Sequence, residues 1–149
     1  MLTVQILSAI LLGIVFANLE IQIEGKRGWA ADLPCWRKEK GWVVRLLGGR
    51  PLTGYHTWMT IFLILMFHFP FLFIDWYPKT ELLIWGLLYG FFLAEDFAWF
   101  VFNPHYGIKK FKKSEVWWHG SWWGPVPSIY YFLAGMAIIL IVLSQVVYQ

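Results

Sequence analysis

Four stretches of the chain are each apolar over about 20 residues, the length that an α-helix needs to cross the hydrocarbon core of a bilayer. They cover residues 2–24, 55–76, 82–102 and 129–148. Hydrophobic residues make up 59% of the chain and charged residues only 14%, whereas soluble domains have roughly 45–50% and 25%. The sequence therefore predicts one all-α integral membrane domain over residues 1–149, a bundle of four transmembrane helices.

The first apolar stretch is predicted to be a retained helix rather than a signal peptide, because no Lys or Arg precedes Lys26. Small residues recur along one face of it, and two carboxylates continue that face: Ala9, Gly13, Ala17, Glu20 and Glu24. Small residues let a neighbouring helix backbone approach closely. We expect this face to pack inward and to carry Glu20 with it. Glu24 either does the same or marks the end of the span.

The connection over residues 25–54 mixes tryptophans with basic residues, a composition typical of the membrane interface. Asp32 and Pro34 are residue types that begin helices, whereas Gly48 to Pro51 would end one. We therefore predict a short amphipathic helix in the headgroup region between spans 1 and 2, with Gly41 as its weakest point. Thr53 is placed to cap span 2.

Basic residues are distributed unevenly among the connections. Eleven of the twelve Lys and Arg lie in residues 25–54 and 103–126, and only Lys79 lies between spans 2 and 3. The positive-inside rule then predicts cytoplasmic connections and both termini outside the cytoplasm. The lysines at 109–113 are expected to contact anionic lipid headgroups. With charges placed in this way, a pI near 9.0 indicates membrane topology and no nucleic-acid partner.

Two adjacent carboxylates, Glu95 and Asp96, interrupt the third apolar stretch. A charge at the centre of a span costs roughly 2.5–3.5 kcal/mol on insertion scales, and an unpaired one is rarely retained. If the spans alternate in direction, this pair lies at the same end of the bundle as most other carboxylates and histidines. Glu95 is expected to face the bundle more directly than Asp96. The candidate site residues are Glu20, Glu24, His56, Glu95, Asp96, His105 and His119.

Carboxylates and imidazoles from facing helices are the ligands of di-iron and di-manganese bundles, and zinc accepts the same groups. The sequence therefore predicts a carboxylate–histidine site for one or two ions of iron, manganese or zinc. Its principal ligands would be Glu20, His56, Glu95 and His119, with the other candidates bridging or supporting them. An oxidoreductase or hydrolase of this kind would act on an apolar or lipid-like substrate at the cytoplasmic face.

Two alternatives to a metal site remain open. In the first, the carboxylates form ion pairs with Lys and Arg, and the chain is a non-catalytic accessory or assembly subunit of a membrane complex. In the second, the carboxylates belong to a proton pathway that only His68 would continue across the bilayer. Otherwise His68 is expected to bond a backbone carbonyl near the kink at Pro70.

Other cofactors are not favoured by the sequence. A haem would need axial histidines facing one another from packed helices, and the fourth span offers none. No nucleotide is expected. Cys35 is the only cysteine, which excludes an internal disulfide and a cysteine-based metal site.

Overall fold

The computed structural model describes residues 1–47 and 49–147, and it is mostly helical. Its helices are α1 (Leu2–Glu24), α2 (Trp42–Leu46), α3 (Gly54–His68), α4 (Pro78–Phe102) and α5 (Ser128–Val146). All but α2 are long and apolar enough to cross a membrane, α3 together with the 3-10 turn Phe69–Leu72 that extends it. The prediction of four long apolar helices is confirmed.

The helix limits differ from the predicted spans near prolines. Helix α3, the second predicted span, loses its regular hydrogen bonding after His68. Pro70 has no N–H to donate, and the chain tightens into the 3-10 turn. Helix α4, the third predicted span, begins at Pro78 rather than at residue 82, since a proline is well suited to the first turn of a helix. The predicted end of the fourth span, residue 148, lies outside the described residues.

Helix α4 is the central element, because it packs along both α1 and α5. Gly13 on α1 touches α4 so closely that a Cβ there would lie 2.7 Å from the Phe91 carbonyl oxygen. On α4, a Cβ at Gly86 would lie 2.7 Å from Ile141 Cγ1 on α5. The small residues therefore set the close approaches, as predicted, although Gly90 faces open space.

The predicted amphipathic helix from Asp32 is wrong in its extent. Among the described residues of this connection the only helix is α2, and Arg37–Lys38 instead forms a short strand, β1, antiparallel to β2 (Leu52–Thr53). Gly41 stands before α2 with φ 126°, a backbone conformation that interrupts a helix. Pairing between the strands supplies hydrogen-bond partners for backbone groups that a helix would otherwise have satisfied.

The residues after α4 fold back onto the ends of α1 and α4. The Asn103 side-chain amide donates to the Gly25 carbonyl at 3.0 Å, which joins the two helix ends. An aromatic core forms beside this link, in which Trp118 stacks on Phe100 with 7° between the rings. The hairpin of β3 (Trp122–Trp123) and β4 (Val126–Pro127) then leads into α5.

Candidate metal site

The ends of the four long helices meet at one end of the molecule. Tyr55, in the first turn of α3, donates to Glu20 Oε1 near the end of α1 at 3.1 Å. Tyr130, in the first turn of α5, donates to Asp96 Oδ2 near the end of α4. The starts of α3 and α5 therefore lie beside the ends of α1 and α4. The helices therefore alternate in direction, as predicted.

A cavity of about 490 Å³ lies where these helix ends meet. Six of the predicted site residues line it: Glu20, Glu24, His56, Glu95, Asp96 and His119. His105 is not among the described residues that line the cavity, and it is exposed in the turn after α4. Its N–H donates to Asn103 Oδ1 at 2.9 Å, and its carbonyl accepts from Lys110 Nζ at 2.8 Å. This turn holds His105 away from the other candidates.

Two carboxylates and one imidazole form the tightest group in the cavity. One ligand atom from each of Glu20, Glu24 and His56 lies within 4.8 Å of the other two. The carboxylate residues are 4% and 6% exposed. The Glu95 side chain lies beside that of Glu20, which adds a third buried carboxylate.

This acidic group has little compensating positive charge from the protein. In the part of the chain that the structure describes, no Lys or Arg forms an ion pair with Glu20, Glu24 or Glu95. The nearest basic side chain is His56, whose Nε2 lies 3.3 Å from Glu24 Oε1 and which is charged only when the ring is protonated. Buried carboxylates at such short range repel one another unless a cation or protons neutralise them.

Thr53 fixes the orientation of the His56 ring. Its Oγ1 accepts the His56 backbone N–H at 3.2 Å, so the prediction that Thr53 caps the second span, α3, is confirmed. The same oxygen lies 2.7 Å from His56 Nδ1. In the tautomer that donates from Nδ1 to Thr53, Nε2 presents a lone pair toward Glu24. Metal-binding histidines use this arrangement, because the outer hydrogen bond selects the tautomer.

The turn after α1 closes over the site in an unusual backbone conformation. Trp29 and Ala30 have φ of 48° and 49°, which for residues other than glycine costs about 1–3 kcal/mol each. The Ala30 N–H donates to Glu24 Oε1 at 2.5 Å. The Trp29 ring stacks on His56 with centroids 4.0 Å apart, while its Nε1–H donates to the Pro51 carbonyl at 2.8 Å. This turn therefore holds both Glu24 and His56.

A second polar group, centred on Asp96 of α4, lies in the same cavity as Glu20, Glu24 and His56. His119 Nε2 is 3.1 Å from Asp96 Oδ2, the oxygen that also accepts from Tyr130. Arg50 lies over the Trp29 ring, with its guanidinium carbon 4.5 Å from the ring centroid. Burial lowers the pKa of Arg50, although the charge of Asp96 acts in the opposite direction.

Sequence reasoning missed the tyrosines and the arginine of this site. Tyr55 precedes His56, and Tyr130 lies in the first turn of α5, the fourth span. Alternating helix directions alone would therefore have placed both tyrosines at the same end of the bundle as Glu20 and Asp96. No such signal existed for Arg50, whose position depends on how the connection folds. Trp99 also lines the cavity, and its buried Nε1–H has no partner among the described residues. A buried donor of this kind is a candidate contact for a bound molecule.

His68 lies at the opposite end, in a group of its own. Its Nδ1 is 2.7 Å from the Ile64 carbonyl oxygen, so the expected bond to a backbone carbonyl is present. Its Nε2 is 3.2 Å from Glu81 Oε1, a partner that the sequence analysis did not identify. Glu81 also accepts the indole N–H groups of Trp76 and Trp85. These bonds tie the end of α3 to the start of α4.

Comparisons of the chain with protein-family models, curated proteins and solved structures find no match. The function is therefore inferred from the geometry of the site.

Proposed function

We propose that this chain is an integral membrane protein that binds iron, manganese or zinc through Glu20, Glu24 and His56. The observation that carries the proposal is the group of two buried carboxylates and one half-buried imidazole whose ligand atoms lie within 4.8 Å of one another. A divalent cation would remove the repulsion between these carboxylates, and mixed oxygen and nitrogen ligands suit all three metals. The orientation of His56 by Thr53 supports the same role.

The membrane location is supported by the outer surfaces of the helices. Large apolar side chains are exposed along their lengths, among them Leu11, Leu65 and Ile138. Apolar surface of this extent is uncommon on soluble proteins and suits contact with lipid. Exposed tryptophans, among them Trp42 and Trp117, occur in the basic connections, as in the aromatic belts at membrane interfaces. Those connections would face the cytoplasm and anionic headgroups, with both termini outside.

A second metal ion would bind beside the first. Asp96 and His119 supply another carboxylate and imidazole, 3.1 Å apart. Glu95 lies next to Glu20 and precedes Asp96 on the same helix, so its carboxylate would be available as a ligand beside either ion. Bridging carboxylates on facing helices are the usual construction of dinuclear bundles.

The proposed activity is a metal-dependent oxidation or hydrolysis of an apolar or lipid-like substrate at the cytoplasmic face. The cavity combines the acidic group with apolar walls, including Met59, Phe92 and Leu133. Iron or manganese would support oxidation of the substrate by molecular oxygen, and zinc would support hydrolysis by activating a bound water. Tyr55 and Tyr130 would hold the carboxylates of Glu20 and Asp96 in place through their hydroxyl hydrogen bonds, and the cavity walls would position the substrate.

The alternative is an accessory subunit of a membrane complex, in which the carboxylates form ion pairs only. One observation favours it, because Asp96 already has His119 as a partner and Arg50 nearby. It accounts less well for Glu20, Glu24 and Glu95, which form no ion pair with Lys or Arg in the described part of the chain.

Metal analysis of the purified protein by plasma mass spectrometry tests the proposal. We expect near-stoichiometric iron, manganese or zinc in the wild type and its loss in His56→Ala and Glu24→Gln. His68→Ala is the matched control, because His68 also pairs with a glutamate but lies at the other end. This variant should retain the metal. A folded wild-type protein without metal would contradict the proposal.

A further inference from the structure

A second cavity, of about 250 Å³, adjoins the candidate metal site. The two cavities share five lining residues, namely Leu47, Arg50, Trp118, His119 and Ile129. No carboxylate is among the described residues that line the smaller cavity, and its charged side chain is Arg50. The electrostatic character therefore changes from acidic to basic between adjoining cavities.

Arg50 has hydrogen-bonding capacity left for a ligand. Its Nε donates to the Leu47 carbonyl at 3.1 Å, and no carboxylate within the described ranges forms an ion pair with its guanidinium. Apart from this bond, the guanidinium lies over the Trp29 ring and lines the smaller cavity. A bound anion would compensate the charge of the guanidinium and accept the remaining N–H groups.

Donors from the start of α5 face the same cavity as Arg50. Ser128 and Ile129 begin this helix, whose first turn has no side-chain cap. The Ser128 N–H already donates to the Ser121 carbonyl at 3.0 Å, so the helix start offers a phosphate only the N–H groups that follow it and their partial positive charge. The hydroxyl groups of Ser121 and Ser128, which bond to each other, also line the cavity. A guanidinium, two hydroxyls and a helix start are typical components of a phosphate site.

The larger cavity continues from this point between α3 and α5. Its apolar wall includes Ile61 on α3, Phe92 on α4 and Leu133 on α5. Ile61 is itself 40% exposed, so the cavity reaches the outer surface of the helices there. With the helices in a bilayer, an acyl chain would reach the cavity laterally through this opening.

We propose that the two cavities together bind one phospholipid-like amphiphile. Its anionic phosphate would lie against Arg50 and Ser128 in the smaller cavity. Its acyl chain would lie in the larger cavity, beside Glu20, Glu24 and His56. Calling this ligand the substrate rests on the proposed function, whereas its binding does not depend on a metal.

Native mass spectrometry of the protein in an uncharged detergent tests the proposal. The probes are long-chain lysophosphatidic acid, lysophosphatidylcholine with the same chain, and inorganic phosphate. We expect one lysophosphatidic acid per chain, retained about ten- to a hundredfold more tightly than the choline lipid, because its headgroup carries a net negative charge for Arg50. Equal retention of the two lipids, or phosphate binding as tight as lysophosphatidic acid, would overturn the proposal.

Two kinds of variant distinguish recognition of the lipid headgroup from binding of the acyl chain. Arg50→Gln should abolish the preference for the anionic lipid, whereas Arg50→Lys should keep much of it. Ile61→Trp, at the exposed opening, should weaken both lipids about equally and leave the preference intact. Lys113→Gln, which removes an exposed cation outside both cavities, is the control and should change nothing. An unchanged lipid preference in a folded Arg50→Gln protein would contradict the assignment.

Removing metal with a chelator distinguishes the two proposals. Retention of lysophosphatidic acid by metal-free protein would uphold the lipid site even if the metal proposal fails. Absence of lipid binding in a metal-loaded protein would refute the lipid site alone.

Discussion

Replacing Gly13 by alanine would insert a methyl group where α1 and α4 are closest. The new Cβ would lie 2.7 Å from the Phe91 carbonyl oxygen, 3.1 Å from the Glu95 nitrogen and 3.2 Å from Ala94 Cβ. Two of these atoms belong to the backbone of α4 and cannot rotate away. The helices would therefore have to separate by several tenths of an ångström.

The size of the effect follows from comparison with Gly90→Ala. Gly90 lies on α4, and a Cβ there meets nothing within 4 Å. Both substitutions gain the same helix propensity, about 1 kcal/mol relative to glycine. Overpacking at Gly13 costs roughly 1–3 kcal/mol. Gly13→Ala should therefore be about 1–3 kcal/mol less stable than Gly90→Ala.

Unfolding of both variants in mixed micelles, followed by tryptophan fluorescence, measures this difference. Separation of the helices should also move Glu20 on α1 away from Glu95 on α4 and so weaken metal binding in Gly13→Ala. Gly90→Ala should bind metal like the wild type. If Gly13→Ala proved as stable as Gly90→Ala, the close approach of α1 to α4 would be wrong.

Three further predictions concern the site, the opposite end and the topology. Thr53→Val should lower metal affinity about 10–100-fold by removing the hydrogen bond that orients His56, as measured by competition with a chelator, whereas Thr80→Val, remote from the cavity, should not. Glu81→Ala should lower the free energy of unfolding by about 1–3 kcal/mol, because the indole N–H groups of Trp76 and Trp85 lose their acceptor and His68 loses its carboxylate partner. The metal content of the same preparation should be unchanged. Cys35, in a connection proposed to be cytoplasmic, should react with an impermeant thiol reagent only after cells are opened. Labelling of Cys35 in intact cells would contradict the cytoplasmic position of that connection.

The inward face of α1 was predictable because it depends on spacing along one helix. Residues at intervals of three or four lie on one side of a helix, and Ala9, Gly13, Ala17, Glu20 and Glu24 are all buried. The convergence of the helix ends was equally accessible, since it requires only alternating directions. Glu95 is buried and Asp96 is less so, as the angular positions around α4 predicted.

The connections were less predictable because their structure depends on contacts between distant residues. Where a helix starting at Asp32 was predicted, Arg37 instead pairs with Thr53 between β1 and β2. No local sequence pattern predicts this pairing. His105 and His119 share one connection, and their sequence neighbourhoods gave no reason to separate them. The fold separates them, because Trp118 packs on Phe100 and carries His119 to Asp96, whereas the turn at Asn103 leaves His105 exposed.

The central claim is that Glu20, Glu24 and His56 bind a metal ion. Anomalous X-ray diffraction from crystals of the purified protein, collected on both sides of the absorption edge of the metal found by elemental analysis, tests it most directly. We expect an anomalous peak about 2.0–2.2 Å from a carboxylate oxygen of each glutamate and from His56 Nε2. A peak elsewhere in the molecule, or an ordered site without one, would contradict it.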